Sequence, residues 1–192
     1  MPAAPPTVDA ALTRVADEIA HLTAAVLADD GGDLARAADL LAAAPRVFVH
    51  GAGRSGLALR MVAMRLMHLG RTVHVVGETT TPAVEAGDLL LTASGSGTTA
   101  GVVRAAETAA RAGAQVLRVS TTRESPLADL STAVVVLPAA HKTDRTRAAS
   151  AQYAGSLFEQ GVLLVGDALF HVLWERSGLG ADDLWPRHAT LE

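Results

Sequence analysis

Between residues 46 and 137 the chain alternates short, continuously apolar runs with helix-length segments, and few folds accept that pattern. Val47-Phe48-Val49 and Leu89-Leu90-Leu91 carry no polar residue on either side of the pleat. Strands read that way when helices cover both faces of a parallel sheet. The pattern places strands at 46–50, 72–76, 88–93, 115–119 and 133–137. Helices are predicted at about 56–69 and 98–112, with a short one near 82–86. A polar loop or lid over 141–150 then leads into a long apolar helix, about 151–176. Right-handed crossovers make this a single doubly wound parallel five-stranded α/β sheet with helices on both faces. Ahead of it, Val8, Leu12, Val15, Ile19, Leu22 and Val26 fall at helical spacing, and 34–44 reads as a second helix closed by Pro45. The first of these seams packs either on its own domain or in a subunit interface. The chain is expected to be one structural domain, with 1–45 as a helical extension of 46–192.

Composition narrows the function classes. The 192 residues carry 20 acidic and 16 basic side chains, a formal net charge of -4, and Lys142 is the sole lysine. A nucleic-acid binder usually shows a basic face, so no nucleic-acid partner is expected. Without cysteine there is no disulfide and no thiol nucleophile, which fits a cytoplasmic protein. Residues 1–6 read as a tail and not as a signal peptide, and no apolar run approaching a membrane span is expected, hence no membrane partner.

Ligands of an open parallel sheet bind beyond the carboxyl ends of its strands. Three such ends are unusual here. Gly51-Ala52-Gly53-Arg54-Ser55-Gly56 matches G-x-G-x-x-G at a strand-to-helix junction, a phosphate-approach signal that by itself suggests a dinucleotide. Glu78 even stands about 20 residues on, where a ribose-binding acid would be expected. The third strand runs into Ser94-Gly95-Ser96-Gly97-Thr98-Thr99. Rotating hydroxyls and close backbone suit one compact phosphate; a helix N-cap explains one of them, not four. Gly77-Glu78-Thr79-Thr80-Thr81-Pro82 is either a further polar wall or simply a turn. With all three ends polar, a sugar phosphate fits the edge better than an apolar ligand.

These blocks, together with Ala63-Met64-Arg65-Leu66-Met67-His68-Leu69-Gly70, resemble the sugar isomerase (SIS) domain family, a flavodoxin-like sandwich. Within them, Met64-Arg65-Leu66-Met67-His68-Leu69-Gly70 and Gly77-Glu78-Thr79-Thr80-Thr81-Pro82 resemble, more narrowly, its 6-phospho-3-hexuloisomerase branch, and Gly155-Ser156-Leu157-Phe158-Glu159-Gln160 and the ending Arg187-His188-Ala189-Thr190-Leu191-Glu192 are similar to the later motifs of that branch. The resemblance implies conversion of D-arabino-3-hexulose 6-phosphate to fructose 6-phosphate through a cis-enediol, with no cofactor and no metal. It further implies Glu159 as the base and His188 as a second proton carrier, in its own or a neighbouring subunit's site. Phosphate would be held by Ser55, Ser94, Gly95, Ser96, Gly97 and Thr99, and the sugar by Gly53, Arg54, Glu78 and Thr79. Arg54 and Glu78 are expected to touch sugar hydroxyls or each other, while Thr98 is alternatively an N-cap and His68 a packing residue. A homotetramer and coupling to a 3-hexulose-6-phosphate synthase also follow from the resemblance. Residues 142–147 match nothing in the family pattern and read as a solvated loop, with closure of their positive charge over substrate as the alternative. The alternatives are a sister isomerase acting on arabinose 5-phosphate or sedoheptulose 7-phosphate, a sugar-phosphate sensor that would leave Glu159 without work, and an NAD-binding oxidoreductase that would leave the serine loop without work.

Overall fold

A computed structural model describes residues 7–29, 31–146 and 149–191. The expected N-terminal tail, Asp30 in the break after the first helix, Arg147 in the 142–147 loop and Glu192 lie outside the described residues. The elements are helices α1 (Val8–Ala28) and α2 (Asp33–Ala43), strand β1 (Arg46–Gly51), helix α3 (Gly53–His68), strands β2 (Thr72–Val75) and β3 (Leu89–Ala93), helix α4 (Ala100–Arg111), strand β4 (Gln115–Ser120), a 3-10 turn at Ala128–Leu130, strand β5 (Ala133–Val136), helices α5 (Ser156–Ser177) and α6 (Ala181–Leu184), and a 3-10 turn at Trp185–Arg187. All five strands are parallel, in the order β2-β1-β3-β4-β5. The chain reverses its direction of travel across the sheet between β1 and β3, where Gly51 pairs in register with Ala93.

The sheet divides two apolar clusters of unequal size. Val47, Val49, Leu89, Leu91, Leu117 and Val135 face α1, α2, α3 and α5, whereas Phe48, Leu90 and Val116 face α4 together with Val84, Leu127 and Leu130. Leu59, Val62 and Leu66 of α3 are each 1% exposed, and each contributes roughly 1.5–3 kcal/mol by leaving water. Arg71 docks α2 by donating to the carbonyls of Leu41, Ala42 and Ala44 at 2.7, 2.8 and 2.7 Å, so its charge meets the negative end of that helix. Of the α1 seam only Leu22 and Val26 are buried, while Val8 and Leu12 are 83% and 66% exposed. The seam therefore packs at its C-terminal half and stands open at its start.

Two expectations need correction. No helix forms at 82–86, because side chains take its backbone partners: Asp88 accepts from the Glu85 N–H at 2.7 Å and Arg46 donates to the Ala83 carbonyl at 3.3 Å. Asp88 is itself held by Arg46 at 2.9 and 2.5 Å. That hydrogen-bonded guanidinium outweighs burial and keeps the carboxyl below its usual range. The last long helix starts at Ser156 instead of near 151. Ala154 there adopts φ 52°, and residues 150–152 are tied to α1 through Glu18, which accepts from Ser150 Oγ at 2.6 Å, Ala151 N–H at 2.8 Å and Gln152 Nε2 at 3.1 Å. Burial pushes the Glu18 carboxyl up, and those three donors more than reverse the shift. By length and composition alone α5 would also pass for a membrane-crossing helix. Here it lies against α1, α2 and α3, and its apolarity follows from having packed neighbours on several sides.

Candidate active site

The end of β1 turns directly into α3, and the end of β3 reaches α4 through 94–99, so two helix N-termini open side by side at the point where the sheet changes direction. Such a switch point leaves a crevice beyond the strand ends, with unpaired helix N–H groups facing it. It is here a cleft of about 480 Å³, within the size range that encloses a small metabolite. Gly53, Arg54 and Ser55 form one wall, Ser94, Gly95, Ser96, Thr98 and Thr99 the floor, and Phe158 and Glu159 from the first turn of α5 another wall.

The serine loop lines the cleft with hydroxyls. Its carbonyls are drawn away behind it: Gly95 O accepts from Thr121 N–H at 3.0 Å, Ser120 Oγ at 3.1 Å and Thr121 Oγ1 at 2.8 Å, and Gly97 O accepts from Leu127 N–H at 3.2 Å. The hydroxyls pair among themselves, Ser94 with Thr99 at 3.0 Å and Ser96 with Thr98 at 2.8 Å. Each hydroxyl rotates, so the pairs can exchange one another for phosphate oxygens at little cost. Thr99, not Thr98, is the N-cap residue of α4, and its hydroxyl makes no capping bond. Gly97 lies beneath the floor instead of at the cleft wall. Its φ is +63°, and a Cβ there would press into the Ser125 side chain. Its N–H is spent on Ser94 O at 3.1 Å, so its part is to shape the turn.

Arg54 Nε donates to Glu159 Oε2 in a short ion pair across the cleft, with the carboxylate mostly shielded and the arginine mostly exposed. The expected meeting of Arg54 with Glu78 does not occur. Glu78 instead pairs with Arg60 of α3 at 2.7 Å, and neither it nor Thr79 reaches the cleft, because Thr81 Oγ1 folds the 77–81 turn back by donating to Val75 O at 2.5 Å. His188 also lies outside the cleft of its own chain. Its ring stacks on buried His68 at 4.0 Å and on Trp185 at 4.7 Å, while Arg187 pins the segment by donating to His68 O at 3.2 Å. His50, at the end of β1, is pushed below its ordinary pKa by burial, which a hydrogen bond to the Gly101 backbone offsets only in part. It adds no positive charge near neutral pH.

Residues beyond those expected also line the cleft: His141, Lys142 and Thr143, from the stretch that sequence reads as a loop, and Phe158 beside Glu159. The available signal for the loop was its single lysine in a chain otherwise using arginine.

The SIS domain matches 40–158, which takes in both strand-end loops and ends in the first turn of α5, one residue before Glu159. The 3-hexulose-6-phosphate isomerase of Mycobacterium gastri is 56% identical over 94% of this chain and 89% of its own. That of Bacillus subtilis is 36% identical over 90% and 92%. A hypothetical protein of Methanococcus jannaschii, whose crystal structure led to an inferred function of 3-hexulose-6-phosphate isomerase, superposes with a TM-score of 0.81 at 29% identity over 94% of this chain and 98% of that one. The parallel sheet, the family match over more than half of the chain and relatives similar over most of its length thus agree, and the chain belongs to the SIS-domain family.

Proposed function

We propose that this cleft isomerises D-arabino-3-hexulose 6-phosphate to fructose 6-phosphate. The supporting observation is that one cleft holds both a carboxylate, Glu159, and a floor of hydroxyls at helix N-termini, in a chain whose relatives at 56% and 36% identity are 3-hexulose-6-phosphate isomerases. The reaction moves a carbonyl from C3 to C2. Glu159 takes the proton from C2, giving a 2,3-enediol, and returns it to C3, while a proton passes from O2 to O3. Nothing is oxidised or reduced overall. Arg54 pairs with Glu159 until substrate arrives, then offers its other donors, with Gly53, to sugar oxygens where charge develops. Ser55, Ser94, Gly95, Ser96 and Thr99 hold the phosphate.

The direct test follows fructose 6-phosphate formation from the 3-hexulose in wild type and Ser96→Ala. The wild type is expected to turn over, and the variant to show KM raised about tenfold with kcat within about twofold, the loss of one hydrogen bond to a charged group. A wild type inert on this substrate but active on arabinose 5-phosphate or sedoheptulose 7-phosphate would overturn the assignment in favour of a sister isomerase.

The same proposal places the protein in the cytoplasm, downstream of a 3-hexulose-6-phosphate synthase in the ribulose monophosphate pathway of formaldehyde assimilation, and as a homotetramer. Leu57, Met61 and Met64 support the assembly: they form a helical stripe on α3 next to the cleft wall, 62%, 55% and 57% exposed, alongside the open start of α1. Apolar surface of this kind is what subunits bury. In that assembly His188 acts in a neighbouring subunit's cleft, as the proton carrier between O2 and O3. Light scattering should give the mass of four chains, and a monomer at assay concentration would refute it.

A further inference from the structure

The charges around the cleft do not balance for the ligand that its floor is shaped to hold. A phosphate monoester brings nearly two negative charges near neutral pH. The hydroxyls of the floor carry none, and His50 behind it is held neutral by burial. Arg54 and Glu159 neutralise each other. Among the residues lining the cleft, that leaves Lys142 as the one permanent cation that makes no hydrogen bond or ion pair with the described residues.

Its position suits the task. A Cβ built on Gly155 would lie 3.7 Å from Lys142 Cβ and 3.6 Å from Glu159 Oε1, so the lysine stem starts beside the base. On its other side the preceding His141 approaches Thr121 at 3.5 Å, and Thr121 is bonded to the Gly95 carbonyl of the phosphate floor. Lys142 thus sits on a segment that runs between the base and the floor, and it lines a second opening as well, with Thr143, Asp144, Gln152 and Tyr153.

We propose that Lys142 is the cationic ligand of the substrate's phosphate, giving the site its preference for phosphorylated over neutral sugars. This rests on the isomerase reading for the identity of the sugar, but not for the anion. A flexible ammonium acts as a point charge on phosphate without fixing its orientation, and orientation is the work of the hydroxyl floor.

The experiment combines calorimetric titration of inorganic phosphate with steady-state kinetics for wild type, Lys142→Gln and Lys142→Arg. Lys142 is exposed, so neither variant should disturb folding. Lys142→Gln is expected to weaken phosphate binding and to raise KM for the 3-hexulose 6-phosphate, each by about tenfold or more, with kcat within about threefold. Lys142→Arg should recover most of both, and the gap between wild type and Lys142→Gln should narrow as salt is raised. Phosphate affinity unchanged in Lys142→Gln would overturn the inference, as would a fall in kcat with phosphate affinity intact, which would place the ammonium at the enediol. A wild type inert on the hexulose that nonetheless loses phosphate affinity on Lys142→Gln would refute the isomerase reading and uphold the role of Lys142.

Discussion

Glu159→Gln is expected to lower kcat about a thousandfold while KM changes by no more than a few-fold. The substitution keeps the shape of the side chain and an oxygen that can still accept from Arg54, so the cleft wall should stand as it is. What disappears is the capacity to take a proton from C2. A positioned general base contributes about 10²–10⁴ in rate, so the barrier should rise by about 4 kcal/mol. Substrate binding depends mainly on the phosphate floor, which Glu159 does not touch, and so KM is spared. Exchange of the C2 proton with deuterated solvent, followed by NMR, should collapse together with turnover. If the variant kept more than a tenth of wild-type kcat, Glu159 would not be the base, and Arg54 would be binding a spectator carboxylate.

How much of this was written in the chain depended on whether the signal was periodic. All five strands lie within a residue or so of where sequence places them, most plainly β1 and β3, whose continuous apolar runs are buried on both faces. The floor of the cleft was equally plain, since hydroxyls and glycines in close succession after a strand have few other uses. Long-range side-chain bonds were not legible. Residues 82–86 lost their helix to Arg46 and Asp88, which lie outside the segment, and α5 started late because Glu18, far away in sequence, binds residues 150–152. The same limit applied to the pairing of Arg54: two carboxylates followed loop positions at the same sheet edge, and only the fold decides that Glu159 meets it while Glu78 turns to Arg60. Lys142 stands in a stretch with neither period nor motif, so that only the folded cleft gives it a neighbourhood.

Gly56→Ala should be the most damaging single-methyl change in the molecule, and it bears on why a dinucleotide-like fingerprint occurs at a sugar-phosphate edge. A Cβ on Gly56 would press directly on the Gly51 carbonyl, with the Gly51 carbon 2.9 Å away and its Cα 3.7 Å away. These are backbone atoms, so no rotamer can yield. Nor can the strand, since β1 is hydrogen-bonded to β2 on one side and β3 on the other. Withdrawal of α3 would open its contact with α5 and uncover Leu59, Val62 and Leu66. Alanine gains about 1 kcal/mol over glycine in helix propensity, yet the overpacking should exceed that and leave a net loss of about 3 kcal/mol. For a chain of this size that is a fall in Tm of roughly 10 °C, measurable by thermal denaturation at fixed protein concentration. The third glycine of G-x-G-x-x-G is thus required by the closeness of helix and strand, whichever phosphate lies beyond them, and the motif marks that closeness without naming the ligand. A Gly56→Ala variant melting with the wild type would show that α3 can stand away from β1, and the shape of the cleft wall would need another cause.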